Sequence, residues 1–127
     1  MIKRPLDRRF REHVLDGRKT TTIRDKPWPV GVPIMLYNWS GLPYRSKQID
    51  VAAVIVKGFW TIWITHRDDG GMIYASYGVC HETPLHSTEG FSYQAEMDEW
   101  FRPLVKRGQT VEKALMLFQL LEVRRDG

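Results

Sequence analysis

The chain has 127 residues and a formal net charge of +4, which suits a single domain over residues 1–127 with a modest core and does not by itself demand nucleic acid. Its one cysteine, Cys80, rules out an intramolecular disulfide framework and a cysteine-rich metal cluster, so a reduced, cytoplasmic setting is expected. No apolar run is long enough to span a bilayer, and the basic start, broken early by charges, makes a poor signal peptide.

The first element expected is a basic helix. Pro5 fits a helical first turn, and Leu6, Phe10 and Val14 follow at four-residue spacing with Leu15 beside them, giving one apolar stripe. Lys3, Arg4, Arg8, Arg9 and Arg11 surround it, and Arg124 and Arg125 add charge at the other end, so anionic ligands fit. Gly17 is placed to end the helix in a left-handed conformation. Thr20 to Arg24 then favours an extended strand, because threonine and isoleucine are β-branched. After the breaks at Pro27, Pro29 and Gly31, a short strand is expected from Ile34 to Trp39, closed by Ser40-Gly41.

Ile49 to Val56 reads as a central strand, with Gly58 marking a bulge or bend. Phe59 to Thr65 and Met72 to Tyr77 form a hairpin about the turn Asp69-Gly70-Gly71, with Arg67 to Gly71 exposed to solvent. Cys80 to Thr88, with Pro84, suits an ordered loop. Ser92 is a candidate cap for a helix that buries Tyr93, Met97, Trp100 and Phe101 and ends at Pro103. Ala114 to Val123 is dense enough in apolar residues for either a buried helix or a buried strand. The pattern as a whole is a mixed α/β, strand-dominated domain. Its small curved sheet is expected to close into a barrel with helices at the openings.

Chemistry concentrates in the string Gly17-Arg18-Lys19-Thr20-Thr21-Thr22-Ile23-Arg24. A lysine at the base of a cleft loses solvation and becomes available as a base, and a threonine hydroxyl becomes a nucleophile once a base takes its proton. Lys19 and Thr22 are three residues apart. Both reach one ligand only if Lys19 lies in the turn ahead of the strand. Thr20, Thr22 and Arg24 then share a face, and Arg24 offers a fixed donor fork. The competing reading is a solvated basic turn followed by an ordinary strand. Glu89 is either a surface carboxylate at a helix start or a proton donor that meets Lys19 across the fold. His66, His81 and His86 lack the spacing of a zinc site, so no metal or other cofactor is expected. Trp60 and Tyr74 either stack on a base or fill the core.

The string resembles the signature of the ASCH domain, a branch of the PUA-like superfamily. The order of the flanking elements resembles it too, from about Leu6 to Val123, with Pro33-Ile34-Met35-Leu36-Tyr37 as a strand and Glu89-Gly90-Phe91-Ser92 ahead of a helix. The resemblance implies a PUA-like pseudo-β-barrel and a strand for the last segment. Within that family the chain is similar in size to small bacterial amidohydrolases that split acetylated cytidine into cytidine and acetate. Their lysine, threonine and glutamate match Lys19, Thr22 and Glu89. The implied roles are base, nucleophile and proton donor, with Arg18, Thr20 and Arg24 holding substrate and no cofactor. The alternative is a non-catalytic module that binds single-stranded RNA or a nucleotide. The middle, from Gly41 to Pro84, departs from the family by its length and its aromatic hairpin.

Overall fold

A computed structural model describes residues 1–76 and 84–124. The expectations attached to Tyr77, Cys80, His81 and Arg125 fall outside the described residues.

The spine of the fold is β4, Gln48–His66, a strand of 19 residues. Val51 to Val54 are all buried, as in a strand covered on both faces. One edge of β4 carries β3 (Pro33–Trp39) along its first half and β5 (Met72–Ser76) along its last turn-side residues, both antiparallel. The other edge pairs antiparallel with β6, Thr110–Val123, along most of its length. The register shifts between Val56 and Gly58, the bulge expected at that glycine, and this lets so long a strand bend over one core. The final apolar segment is therefore strand. The β4–β5 hairpin turns at Arg67 to Gly71, where Arg67, Asp68 and Asp69 are exposed.

Two short strands end the sheet. β1, Ile2–Pro5, runs parallel to β3, and β2, Thr21–Arg24, runs antiparallel to β6. The strand order is β1-β3-β4-β6-β2, with β5 on β4. The path is open, and this overturns the expected pseudo-β-barrel of the PUA-like type. Both end strands have only four residues, and β1 finishes on Pro5, which has no N–H to donate to a ladder. The chain between them is helical, so the two edges face each other without pairing.

β1 also corrects the first element. Asp7, not Pro5, starts the helical segment. Its side chain accepts a hydrogen bond from the Arg9 backbone N–H at 3.0 Å and opens a 3-10 turn, Arg8–Phe10, that leads into α1, Arg11–Leu15. The expected stripe holds, since Leu6, Phe10, Val14 and Leu15 are all buried. The segment expected as loop forms a short helix, α2 (Leu85–Thr88), at its described end. α3 runs from Gln94 to Phe101 and passes into a 3-10 turn containing Pro103. Ser92 does not cap α3: Tyr93 occupies that position, makes no side-chain cap, and is exposed. Instead the Ser92 backbone N–H donates to Glu96 at 3.0 Å. Met97 and Phe101 turn inward to Ile34, Val54, Ile62 and Ile64 in one core.

Candidate functional site

The unpaired edges leave a cleft. Asp7 and Phe10 line it from the first 3-10 turn, Lys19, Ile23 and Arg24 from the α1–β2 connection and β2, Glu89 and Phe91 from the turn after α2, and Trp100 and Phe101 from α3. Its cavity measures about 120 Å³. Phe91 meets Phe10 edge-on at 5.3 Å and lies 6.1 Å from Trp100. One wall is thus aromatic, the arrangement such rings prefer.

Lys19 lies ahead of β2, in the turn, as the spacing argument required. Gly17 ends α1 at φ +82°, the Lys19 N–H donates to the His13 carbonyl at 2.8 Å, and the Thr20 N–H donates to the Thr88 carbonyl at 2.9 Å. These bonds pin the turn between α1 and α2. Gly90 packs against it at φ +97°, where a Cβ would meet Phe10 at 3.0 Å and the Lys19 side chain at 3.3 Å. A side chain at that position would push Lys19 aside. His13 Nδ1 is 2.6 Å from the Gly90 carbonyl. A carbonyl only accepts, so this ring nitrogen carries the proton.

Lys19 is 4% exposed and Glu89 3%. The ammonium donates to the Glu89 carbonyl at 2.7 Å, stands 3.9 Å from the Glu89 carboxylate, and sits 4.7 Å from the centre of the Phe10 ring. Burial pushes the Lys19 pKa down to about 8; the Glu89 carboxylate opposes the shift and the Arg24 guanidinium adds to it. A lysine of this kind is roughly one-tenth free base at pH 7. Burial also lowers the pKa of Arg24, with Glu89 opposing.

Glu89 is held by a residue the sequence reading passed over. Thr21 donates its hydroxyl to Glu89 Oε2 at 2.5 Å and lies 3.1 Å from the Thr88 hydroxyl, which in turn donates to the Leu85 carbonyl at 3.1 Å. These three links share two hydroxyl protons. With Glu89 ionised, only two of them form at once. A proton on Glu89 supplies the third: Glu89 then donates to the Thr21 hydroxyl, Thr21 turns to donate to Thr88, and Thr88 goes on donating to Leu85. The chain can serve either charge state of Glu89 by reversing direction, a property suited to a group that gives and takes a proton. Strand alternation is the signal that could have found Thr21, since Thr21 and Ile23 share one face of β2 and Thr22 and Arg24 the other.

The remaining candidates divide. Thr22 is buried and accepts from Arg24 Nη1 at 2.6 Å. Arg24 lines the cavity and Thr22 does not. Arg24 Nη1 also donates to the Ile23 carbonyl at 2.9 Å, and Nη2 to the Pro5 carbonyl at 3.2 Å across the open edge of the sheet. Thr20 works through its backbone, its carbonyl accepting from the Phe118 N–H at 2.9 Å. Arg18 lies outside the cleft, exposed and paired with Asp16 at 2.8 Å. His66 sits far along β4, its Nδ1 donating to the Val105 carbonyl at 2.9 Å, and His86 lies on α2. Among the described residues no group of three or more potential metal ligands gathers. Trp60 and Tyr74 do not reach the cleft. Trp60 pairs with Leu115 across β4 and β6, and Tyr74 donates to Asp98 at 2.8 Å.

Fold and site define a small mixed α/β protein with an open sheet and a buried lysine–glutamate cleft at its unpaired edges. No family model fits the chain, and neither a curated protein nor a solved structure matches it significantly. No helix among the described residues is long and apolar enough to cross a membrane.

Proposed function

We propose that the cleft is the active site of an amidohydrolase that removes the acetyl group from an N-acetylated cytidine nucleoside, giving cytidine and acetate. The observation that carries this reading is the meeting of Lys19 and Glu89, 70 positions apart, both buried in one pocket. There the lysine is tuned toward a base and the carboxylate has a reversible hydroxyl chain behind it. The cavity is smaller than the ~300–1,000 Å³ of drug-sized sites. An acyl group and a flat ring suit it, with the aromatic wall to receive the ring and the sugar left at the mouth.

In this reading Thr22 Oγ attacks the acetyl carbonyl carbon and its proton passes to Lys19. The carbon–nitrogen bond then breaks as Lys19 passes that proton through Glu89 to the departing cytosine amine, and water, with Lys19 again as base, clears the acetyl ester as acetate and returns the Thr22 hydroxyl. Arg24 already donates to Thr22 Oγ, and must turn its guanidinium toward the carbonyl oxygen for Thr22 to be reached. Because Arg24 stands between Thr22 and the cavity, a second route deserves a test, in which water activated by Lys19 attacks directly.

Purified protein incubated with acetylated cytidine should release acetate. A folded protein that releases none rules out this substrate. Mass spectrometry during turnover separates the two routes, since an acetyl adduct on Thr22 forms only in the first. A pure binding module would bind cytidine or RNA and release no acetate.

A further inference from the structure

We propose that His13 is a positioning residue for Lys19, holding the lysine at both ends through one closed circuit of hydrogen bonds. At the near end the Lys19 N–H donates to the His13 carbonyl at 2.8 Å. At the far end the Lys19 ammonium donates to the Glu89 carbonyl at 2.7 Å. The next carbonyl along the chain, that of Gly90, accepts from His13 Nδ1 at 2.6 Å. The imidazole thus fixes one peptide of the turn while the lysine bonds the peptide before it, and backbone and side chain of Lys19 are tied to the same residue.

The turn needs this tie. Its N–H groups all point back into α2: Glu89 donates to the Leu85 carbonyl at 2.9 Å, Gly90 to Ser87 at 3.0 Å and Phe91 to His86 at 2.8 Å. The carbonyls of Glu89 and Gly90 are left to fasten the turn to the α1–β2 connection, and Lys19 and His13 take them. Gly90 sits between those two side chains. A Cβ there would meet His13 Nδ1 and the Lys19 Cδ at 3.3 Å each, so the glycine backbone packs directly on the lysine stem. Glycine is the residue least able to hold its own dihedrals, and the bond from His13 holds them for it.

His13 acts through Lys19 and not on the substrate. It lines a separate hollow of about 290 Å³ with Arg18, Ser87 and Ser92, and does not line the cleft. The charged groups that share the cleft with Lys19 are Glu89 from the turn, Arg24 from β2 and Asp7 from the first 3-10 turn. Nδ1 carries its proton both in the neutral tautomer that the carbonyl selects and in the imidazolium, so the clamp holds in either charge state of His13. Burial keeps the Lys19 pKa near 8, and burial is what a loosened Gly90 would relieve. A role in catalysis rests on the amidohydrolase reading, whereas the clamp on Lys19 stands without it.

The test compares His13→Asn, His13→Gln and His13→Leu. The Asn amide N–H stands as many bonds from the backbone as Nδ1, the Gln amide stands one bond further, and Leu has no donor. In ligand-free protein carrying isotope-labelled lysine, NMR follows the Lys19 side-chain carbons against pH, their signals assigned by their loss in Lys19→Met. The parent and His13→Asn should titrate near 8, and His13→Gln and His13→Leu should move toward the ordinary 10.5 as water reaches the ammonium. Acetate release should fall by up to roughly 10²-fold in those two, in kcat more than in KM, with His13→Asn keeping most of the rate. A Lys19 titration unmoved in His13→Gln overturns the proposal, and so does a His13→Asn protein that behaves as His13→Gln does. Both amide variants keep a polar side chain, so the comparison survives a His13→Leu chain that fails to fold. If the parent releases no acetate while the Lys19 titration still moves, the amidohydrolase reading falls and the clamp stands. Acetate release with an unmoved titration does the reverse.

Discussion

The cleft and the β4–β5 hairpin handle charge in opposite ways. At the cleft, Lys19 and Glu89 are buried and meet at 3.9 Å. At the hairpin, Arg67 and Asp69 make a closer pair at 2.7 Å, but both are more than half exposed. The hairpin also has the larger hollow, about 420 Å³ between Thr65, Arg67, Asp68 and Gly108, against about 120 Å³ at the cleft. Size and short distance both favour the hairpin, yet the proposed chemistry belongs to the cleft. An exposed pair is screened by water and contributes about 0–1 kcal/mol. A buried pair costs several kcal/mol of desolvation per ion, and that cost moves the Lys19 pKa into a useful range.

The largest expected contrast is in rate. Lys19→Met should lower acetate release by roughly 10²–10⁴-fold, the usual contribution of a positioned base, while Arg67→Met leaves it unchanged. Steady-state kinetics on both variants checks this, and equal effects would erase the distinction between the two regions.

Next comes pH. Burial holds the folded-state pKa of Lys19 near 8, below its ordinary 10.5. Below about pH 8 both folded and unfolded chains hold the proton, and the desolvation penalty is present in full. Between about 8 and 10.5 the folded chain sheds it first, so stability should rise with pH by about 3 kcal/mol across that window. Burial and the bond to Asp98 push the Tyr74 pKa up, and this opposes the rise above about pH 10. Urea denaturation from pH 7 to 9.5 should show the gain in the parent and none in Lys19→Met. Activity should rise toward the same pH, near 8, as the free base forms.

Two glycines sharpen the comparison at smaller scale. Gly90 and Gly70 both have positive φ, +97° and +90°. A Cβ at Gly90 meets Phe10 at 3.0 Å, whereas at Gly70 it meets only the flexible tip of Arg107 at 3.8 Å. Gly70→Ala should cost the left-handed penalty alone, about 1–2 kcal/mol. Gly90→Ala should cost more than that by thermal melting and should also reduce activity, because Lys19 must move.

Comparable in size is the effect of Thr21→Val, which keeps the shape of the side chain but takes the hydroxyl from Glu89. It should cost about 1–3 kcal/mol of stability and lower kcat more than it changes KM, with Thr21→Ser restoring most of the rate. A kcat unchanged in Thr21→Val would show that the hydroxyl chain behind Glu89 plays no part in proton transfer.

Local signals were legible in the sequence, and contacts between distant segments were not. Asp69-Gly70-Gly71 announced its turn, Gly17 its left-handed stop, and Leu6, Phe10 and Val14 their buried stripe, because each depends on neighbours a few residues away. β1 was missed because a basic tetrapeptide ending in proline becomes a strand only beside β3, 32 residues on in register. The barrel was expected from strand content alone, and closure depends on whether two edges are long enough to pair. At the site, the position of Lys19 ahead of β2 followed from spacing. Its meeting with Glu89 came from the family resemblance and could not come from spacing. Thr21 was overlooked because it lies on the Ile23 face of β2, opposite the Thr20, Thr22 and Arg24 face on which the expected site was built.

Arg24 spans the gap in the sheet, its guanidinium holding Thr22 and Ile23 on one strand and Pro5 on the other. Any guest whose oxygen draws Nη2 away from Pro5 therefore unfastens the two edges as it settles. Occupancy of the pocket and breathing of the seam become one equilibrium. The amide protons of β1 and β2 will record it, exchanging faster when the latch is taken by a guest than when it rests on the chain's own carbonyl.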